Sequence, residues 1–234
     1  MAKKSSLYLC ESCSYQSVKW LGCCPQCSTW DSFTETSPAF QAATKKTASG
    51  SALTMQSLKE VTIHSEERFI TGISEWDRVM GGGILKGAFM ILTGDPGIGK
   101  STLLLRIAHE LSRSYRVFYF SSEESCAQVR QRAERIGCIN NSIAVSDRAN
   151  LDEIIAIAES EQPDIIVLDS IQNCHTSDLS LLPGSVGQLR ESAFKLMRLA
   201  KDRQIAILMT GHITKDGAMA GPKTLEHMVD AVFY

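Results

Sequence analysis

The 234-residue sequence contains no run of about eighteen apolar residues, so a membrane-spanning helix is not expected. Its basic start, Met1-Ala2-Lys3-Lys4-Ser5-Ser6, is not followed by an apolar h-region. That argues against a secretory signal and for a cytoplasmic protein with no membrane partner. Strong charge of either sign is also missing: the formal net charge is −2. Any nucleic-acid contact must therefore come from local basic patches and not from a global field. No internal repeat is visible. Apolar content, at 44%, is ordinary for a globular chain. The length suffices for one good core plus a small satellite module.

Cysteine, by contrast, is plentiful, and five of the eight fall at Cys10, Cys13, Cys23, Cys24 and Cys27. A disulfide framework would spread its cysteines through a small secreted chain, so this clustering points to metal. Cys10-x2-Cys13 and Cys24-x2-Cys27 form two facing knuckles, and their four thiolates suit one tetrahedral Zn²⁺. The segment is too short for a core of its own, so the metal would supply its folding energy. The symmetric spacing leaves Cys23 as a spare thiol. Trp20 and Trp30 flank the second knuckle and read as packing in a mini-core, with stacking on DNA bases as the alternative. Cys126, Cys138 and Cys174 have no ligand spacing and read as buried small residues.

Composition divides the chain into a zinc finger over 1–33, a linker over 34–60 and an α/β core over 61–234. The linker is Ala/Thr/Ser/Lys-rich and cannot bury a core. In the core, apolar strands are predicted at Phe89–Thr93, Val117–Phe120, Ile165–Leu168 and Ile205–Met209. Helices are predicted at Thr102–Leu111, Cys126–Ile136, Leu151–Ala158 and Val186–Ala200. Near-continuous apolar strands alternating with amphipathic helices imply a mainly parallel sheet covered on both faces.

Between the first such strand and helix lies Gly94-Asp95-Pro96-Gly97-Ile98-Gly99-Lys100-Ser101, which fits G-x-x-x-x-G-K-[ST]. Its glycines let backbone N–H groups turn toward phosphate oxygens, and the following helix, with Thr102 in its first turn, aims its positive end the same way. Lys100 is expected to meet the β- and γ-phosphates of ATP, and Ser101 to ligand Mg²⁺. Asp169, at the carboxyl end of the strand Ile165–Leu168, supplies the second acidic element for the metal. Glu123 and Glu124 follow the strand Val117–Phe120, expected to lie alongside the P-loop strand. Glu123 is assigned the task of polarising water, and Glu124 that of an acid complementing a helix N-terminus.

Together these motifs resemble the N-terminal half of the RadA/Sms family of bacterial DNA repair proteins, RecA-related ATPases. The likeness rests on the zinc knuckles with Lys19-Trp20-Leu21-Gly22 between them, and on Asp77-Arg78-Val79-Met80-Gly81-Gly82-Gly83 before the P-loop. It continues through Glu123-Glu124-Ser125, Asp169-Ser170-Ile171-Gln172, Pro183-Gly184-Ser185-Val186 and Gly211-His212-Ile213-Thr214-Lys215-Asp216-Gly217. Gly221-Pro222 and Leu225-Glu226-His227-Met228-Val229-Asp230 close it.

The resemblance implies a RecA-like core and a DNA-stimulated ATPase that binds single-stranded and branched DNA. It also implies a hexameric ring, branch migration of recombination intermediates, and the recombinase RecA as partner. Loops Asn173–Gln188 and Ile213–Lys223 are expected to face DNA, and His212 to sense the γ-phosphate. The sequence ends at Phe233-Tyr234. It therefore lacks the family's Lys-Asn-Arg-Phe-Gly motif and Lon-protease-like domain, which is expected to compromise ring assembly and motor activity. The competing reading is a KaiC-like regulatory switch whose zinc module docks proteins.

Overall fold

The structure, a computed structural model, describes residues 7–13, 15–36, 57, 59, 67–139, 142–179, 181–212 and 223–234. The chain divides into two compact units, Met1–Ser65 and Glu66–Tyr234. Most of the linker read over 34–60 lies outside the described residues, as does the expected start of the core at Val61.

The first unit is a three-stranded antiparallel sheet in the order β2-β1-β3, built from β1 (Leu7–Cys10), β2 (Gln16–Ser17) and β3 (Phe33–Thr36). Leu7 pairs with Thr36 and Cys10 with Phe33, so Thr34, Glu35 and Thr36, expected in the linker, belong to a strand. Its apolar interior is small: Cys10, Cys24 and Phe33 are buried, with Tyr8, Cys13, Leu21 and Cys27 packed against them. Trp20 and Trp30 are not part of it. They are 52% and 74% exposed, which corrects the mini-core expectation. Two indoles are too large for an interior already filled by the thiol cluster.

The second unit opens with a short hairpin, β4 (Arg68–Phe69) against β5 (Ile84–Leu85), around the helix α1 (Ser74–Val79). Then come β6 (Phe89–Gly94), α2 (Lys100–Leu111), β7 (Val117–Ser121), α3 (Cys126–Arg135) and β8 (Ile143–Ser146). After these follow α4 (Leu151–Glu161), β9 (Ile165–Asp169), α5 (Val186–Arg203), β10 (Ala206–His212), α6 (Lys223–Glu226) and β11 (Ala231–Phe233). Six strands form one parallel sheet in the order β11-β6-β10-β9-β7-β8.

Alternation along each strand sends side chains to two apolar layers. Ile91, Phe118, Phe120, Ile166, Leu168, Ile207 and Met209 meet α4 and α5 on one face. On the other, Met90, Leu92, Tyr119, Val167 and Leu208 meet α2 and α3. This is the doubly covered parallel sheet that the apolar strands predict.

Strand order corrects one expectation. The strand carrying Glu123 at its end is not a neighbour of the P-loop strand, because β10 and β9 stand between β7 and β6. Hydrophobic patterning identifies strands but carries no information on which pairs with which.

Candidate functional site

The P-loop joins β6 to α2. Gly97 and Gly99 have φ of 81° and 109°, conformations that disfavour residues with a Cβ, and they turn the backbone between strand and helix. Helix α2 begins at Lys100 with Gly99 as its N-cap and no side-chain cap. Its first N–H groups therefore lack the usual side-chain acceptor and suit an anion. Residues 95–99 are exposed, whereas Lys100 is 7% exposed. Its Nζ donates to the Gly94 and Asp95 carbonyls at 2.8 and 2.9 Å. A buried ammonium held, among the described residues, by neutral carbonyls favours an incoming polyanion. The residues thus fit a nucleotide phosphate chain. Ser101 and Thr102 occupy the first turn of α2.

Asp169 ends β9 and is 5% exposed. Thr210 Oγ1 donates to its Oδ1 at 2.6 Å, and the Tyr119 hydroxyl to its Oδ2 at 3.1 Å. These partners, on β10 and β7, fix the carboxylate from both sides. Burial, and then the Asp169 charge, push the Tyr119 hydroxyl well above its ordinary value, so it stays a donor. Neither Thr210 nor Tyr119 was predicted, because their role depends on which strands adjoin β9.

Beyond β7, Ser122 N donates to the Asp169 carbonyl at 2.7 Å, and Ser122 Oγ to the Ser170 carbonyl at 2.7 Å. Ser170 Oγ in turn donates to Glu123 Oε1. Glu123 is thereby tied to the end of the Asp169 strand. Glu124 behaves differently from expectation. The α3 N-cap is Ser125, which forms a reciprocal capping box with Gln128. Glu124 instead forms an ion pair with Arg132 on that helix. His212 ends β10 in register with Gly94, so its backbone lies beside the start of the P-loop. The sheet thus brings Lys100, Asp169, Glu123 and His212 to the carboxyl ends of four consecutive strands, the usual ligand side of a parallel α/β sheet.

Of the two expected DNA loops, residues 213–222 lie outside the described residues. The other is organised by a polar knot. Gln188, 1% exposed, accepts the Thr176 N–H and donates to the carbonyls of Thr176, Leu179 and Leu181. Lys195 Nζ bonds Asp152 at 2.8 Å, Thr176 at 2.6 Å and Asp178 at 2.6 Å. Burial would raise the Asp152 carboxyl, but Lys195, the Ser177 N–H and the Thr176 hydroxyl hold it down at about 2. A depressed folded-state value stabilises the fold above the unfolded value of about 3.9, and that stability is lost as pH falls through about 2. The parent should therefore be more stable than Asp152→Asn at neutral pH, and the gap should close on acidification. Denaturant titrations across pH check this.

In the first unit, Cys10, Cys13, Cys24 and Cys27 place their sulfurs within 4.8 Å of one another. Cys10 and Cys27 Sγ are 3.6 Å apart, and Cys13 and Cys24 Sγ 3.5 Å. A tetrahedral ion with Zn–S bonds of about 2.3 Å requires sulfur edges of about 3.8 Å, so the set fits zinc. Burial, joined by the neighbouring thiols, pushes Cys13 up to about 12, while Thr29 holds Cys27 down at about 6. Four thiolates this close need a cation to coexist. Cys23 stays outside the cluster, its Sγ 3.9 Å from the Cys24 carbonyl.

Comparison with known proteins agrees with this geometry. The rubredoxin metal binding domain model matches residues 8–35, and the AAA domain model residues 58–218. The chain is 43% identical over 235 aligned residues to the DNA repair protein RadA of Streptococcus pyogenes. It is 45% identical over 237 to that of Helicobacter pylori, and 43% over 239 to that of Bacillus subtilis. Each alignment covers 100% of this chain but 52%, 53% and 52% of the respective relative, so the chain spans about half their length. Among the described residues no helix is long and apolar enough to cross a membrane. Because the AAA domain model covers well over half of a chain already built around a P-loop and a parallel sheet, the protein belongs to the AAA domain family, here preceded by a four-cysteine zinc-ribbon module.

Proposed function

We propose that the chain is a DNA-dependent ATPase of recombinational DNA repair. In this reading it binds single-stranded and branched DNA, serves the branch migration of recombination intermediates, and has the recombinase RecA and further copies of itself as partners. The observation that carries the reading is one sheet end holding Lys100, Asp169 and a Ser170-bound Glu123, in a chain like RadA proteins throughout.

The bound group would be ATP with Mg²⁺, which supplies a transferable γ-phosphoryl and the charge to polarise it. Lys100 would meet the β- and γ-phosphates in place of its two carbonyls. Residues 94–99 would cradle the phosphate chain through backbone N–H groups, while Ser101 and Asp169 would hold the magnesium. Asp169 is oriented for that task by Thr210 and Tyr119. Glu123 orients the attacking water and takes its proton. His212, whose backbone lies beside Gly94 on the adjacent strand, would sense the γ-phosphate. Zinc held by Cys10, Cys13, Cys24 and Cys27 folds the first unit.

Steady-state ATP hydrolysis with and without single-stranded DNA tests the reading. Stimulation by DNA, steeply weakened by salt, is expected. Hydrolysis indifferent to DNA would instead support a nucleotide-gated switch. Lys100→Ala should weaken nucleotide binding by about tenfold or more, since it removes a charge-assisted phosphate contact. Equilibrium binding of a fluorescent ATP analogue checks this.

A further inference from the structure

We propose that Trp20 and Trp30 form a docking platform on the zinc module for an arginine- or lysine-bearing segment of a partner protein. The indoles converge on Gly22: a Cβ there would lie 3.8 Å from Trp20 ring carbons and 4.0 Å from Trp30. Both rings thus lie over the same stretch of backbone. That stretch is held in place, with Cys23 bridging Trp30 and Asp31 N donating to the Gly22 carbonyl at 2.8 Å. Paired indoles left in water by a rigid scaffold are costly to keep exposed and typical of binding hot spots.

Charge decides the class of partner. The module's described residues carry exposed Glu11, Asp31 and Glu35 against a single lysine, Lys19. Four thiolates around a divalent ion add a further charge of about −2. A nucleic-acid backbone would be repelled, although bases stack readily on indoles. A guanidinium or ammonium is attracted twice, by the ring faces and by Asp31 next to Trp30. The proposal is independent of the ATP chemistry of the other unit.

Intrinsic fluorescence of the full zinc-loaded chain tests it, because Trp76 is buried at 9% exposure and the other two tryptophans report the platform. The probes are a short Arg-Gly repeat peptide and an oligothymidylate of equal length. The peptide should quench the emission at low salt and the oligonucleotide should not. Trp20→Ala and Trp30→Ala should each weaken peptide binding by about tenfold, with Trp30→Phe recovering part of the loss. Asp31→Asn should weaken it without altering the rings. Zinc content equal to the parent's shows that a variant has kept its fold. Where an alanine variant loses zinc, Trp30→Phe and Asp31→Asn carry the test. Quenching by the oligonucleotide alone would make the platform a base-stacking surface and overturn the proposal. So would peptide binding indifferent to these variants, or a blue-shifted emission that neither probe changes.

Discussion

Glu123→Gln should retain ATP yet lose about two to four orders of magnitude in turnover. The amide preserves shape and can still hold a water, but it cannot accept that water's proton. Glu124→Gln should leave turnover close to the parent's, because Glu124 is engaged with Arg132 on α3 and not with the Asp169 strand. The discriminating contact is Ser170 Oγ to Glu123, which ties this carboxylate to the end of the strand carrying Asp169. Single-turnover hydrolysis combined with filter retention of ATP separates binding from chemistry. If Glu123→Gln hydrolyses at the parent rate while Glu124→Gln is dead, the assignments must be exchanged.

Cys24→Ser should abolish metal binding, whereas Cys23→Ser should leave one zinc per chain. Cys24 is fully buried with its sulfur 3.5 Å from Cys13, whereas Cys23 points its thiol at a backbone carbonyl. Metal binding contributes on the order of 10 kcal/mol to the folding of such modules. The small interior of Cys10, Cys24 and Phe33 cannot replace that energy. Loss of the metal should therefore unfold the first unit and leave the thermal transition of the second in place. Elemental analysis and calorimetry read the two effects. Equal zinc loss in both variants would falsify the ligand assignment.

The sequence announced some of these elements and not others, for identifiable reasons. Ile165–Leu168 is an unbroken apolar run buried on both faces, and the P-loop is fixed by its glycines, so both were legible. Strand β8 was not, since its apolar run, Ile143-Ala144-Val145, is short and the strand is only partly buried. Helix α1 is too short to develop a period. Helix ends were read short: α4 continues to Glu161 and α5 to Arg203, through polar residues that pattern-reading discards. The partners of Asp169 were invisible because Thr210 and Tyr119 come from strands distant in sequence. Glu124 was mistaken for a capping acid because Ser125 and Gln128, the true capping pair, look unremarkable in isolation. The exposed tryptophans were hidden by the habit of counting aromatics as core.

The position of β6 between β10 and β11 has a consequence for synthesis. The P-loop strand spans Phe89–Gly94, but its two hydrogen-bonded neighbours span Ala206–His212 and Ala231–Phe233. Phe89 also exchanges hydrogen bonds with Asp230, its N–H donating to the carboxylate at 2.8 Å and its carbonyl accepting the Asp230 N–H at 2.7 Å. A growing chain on the ribosome therefore carries a finished P-loop sequence long before it can be seated. Until β10 emerges, β6 has no partner strand, and its six-residue edge, apolar from Phe89 to Leu92, awaits one. Nucleotide capture by the nascent chain can begin only after β10 has emerged.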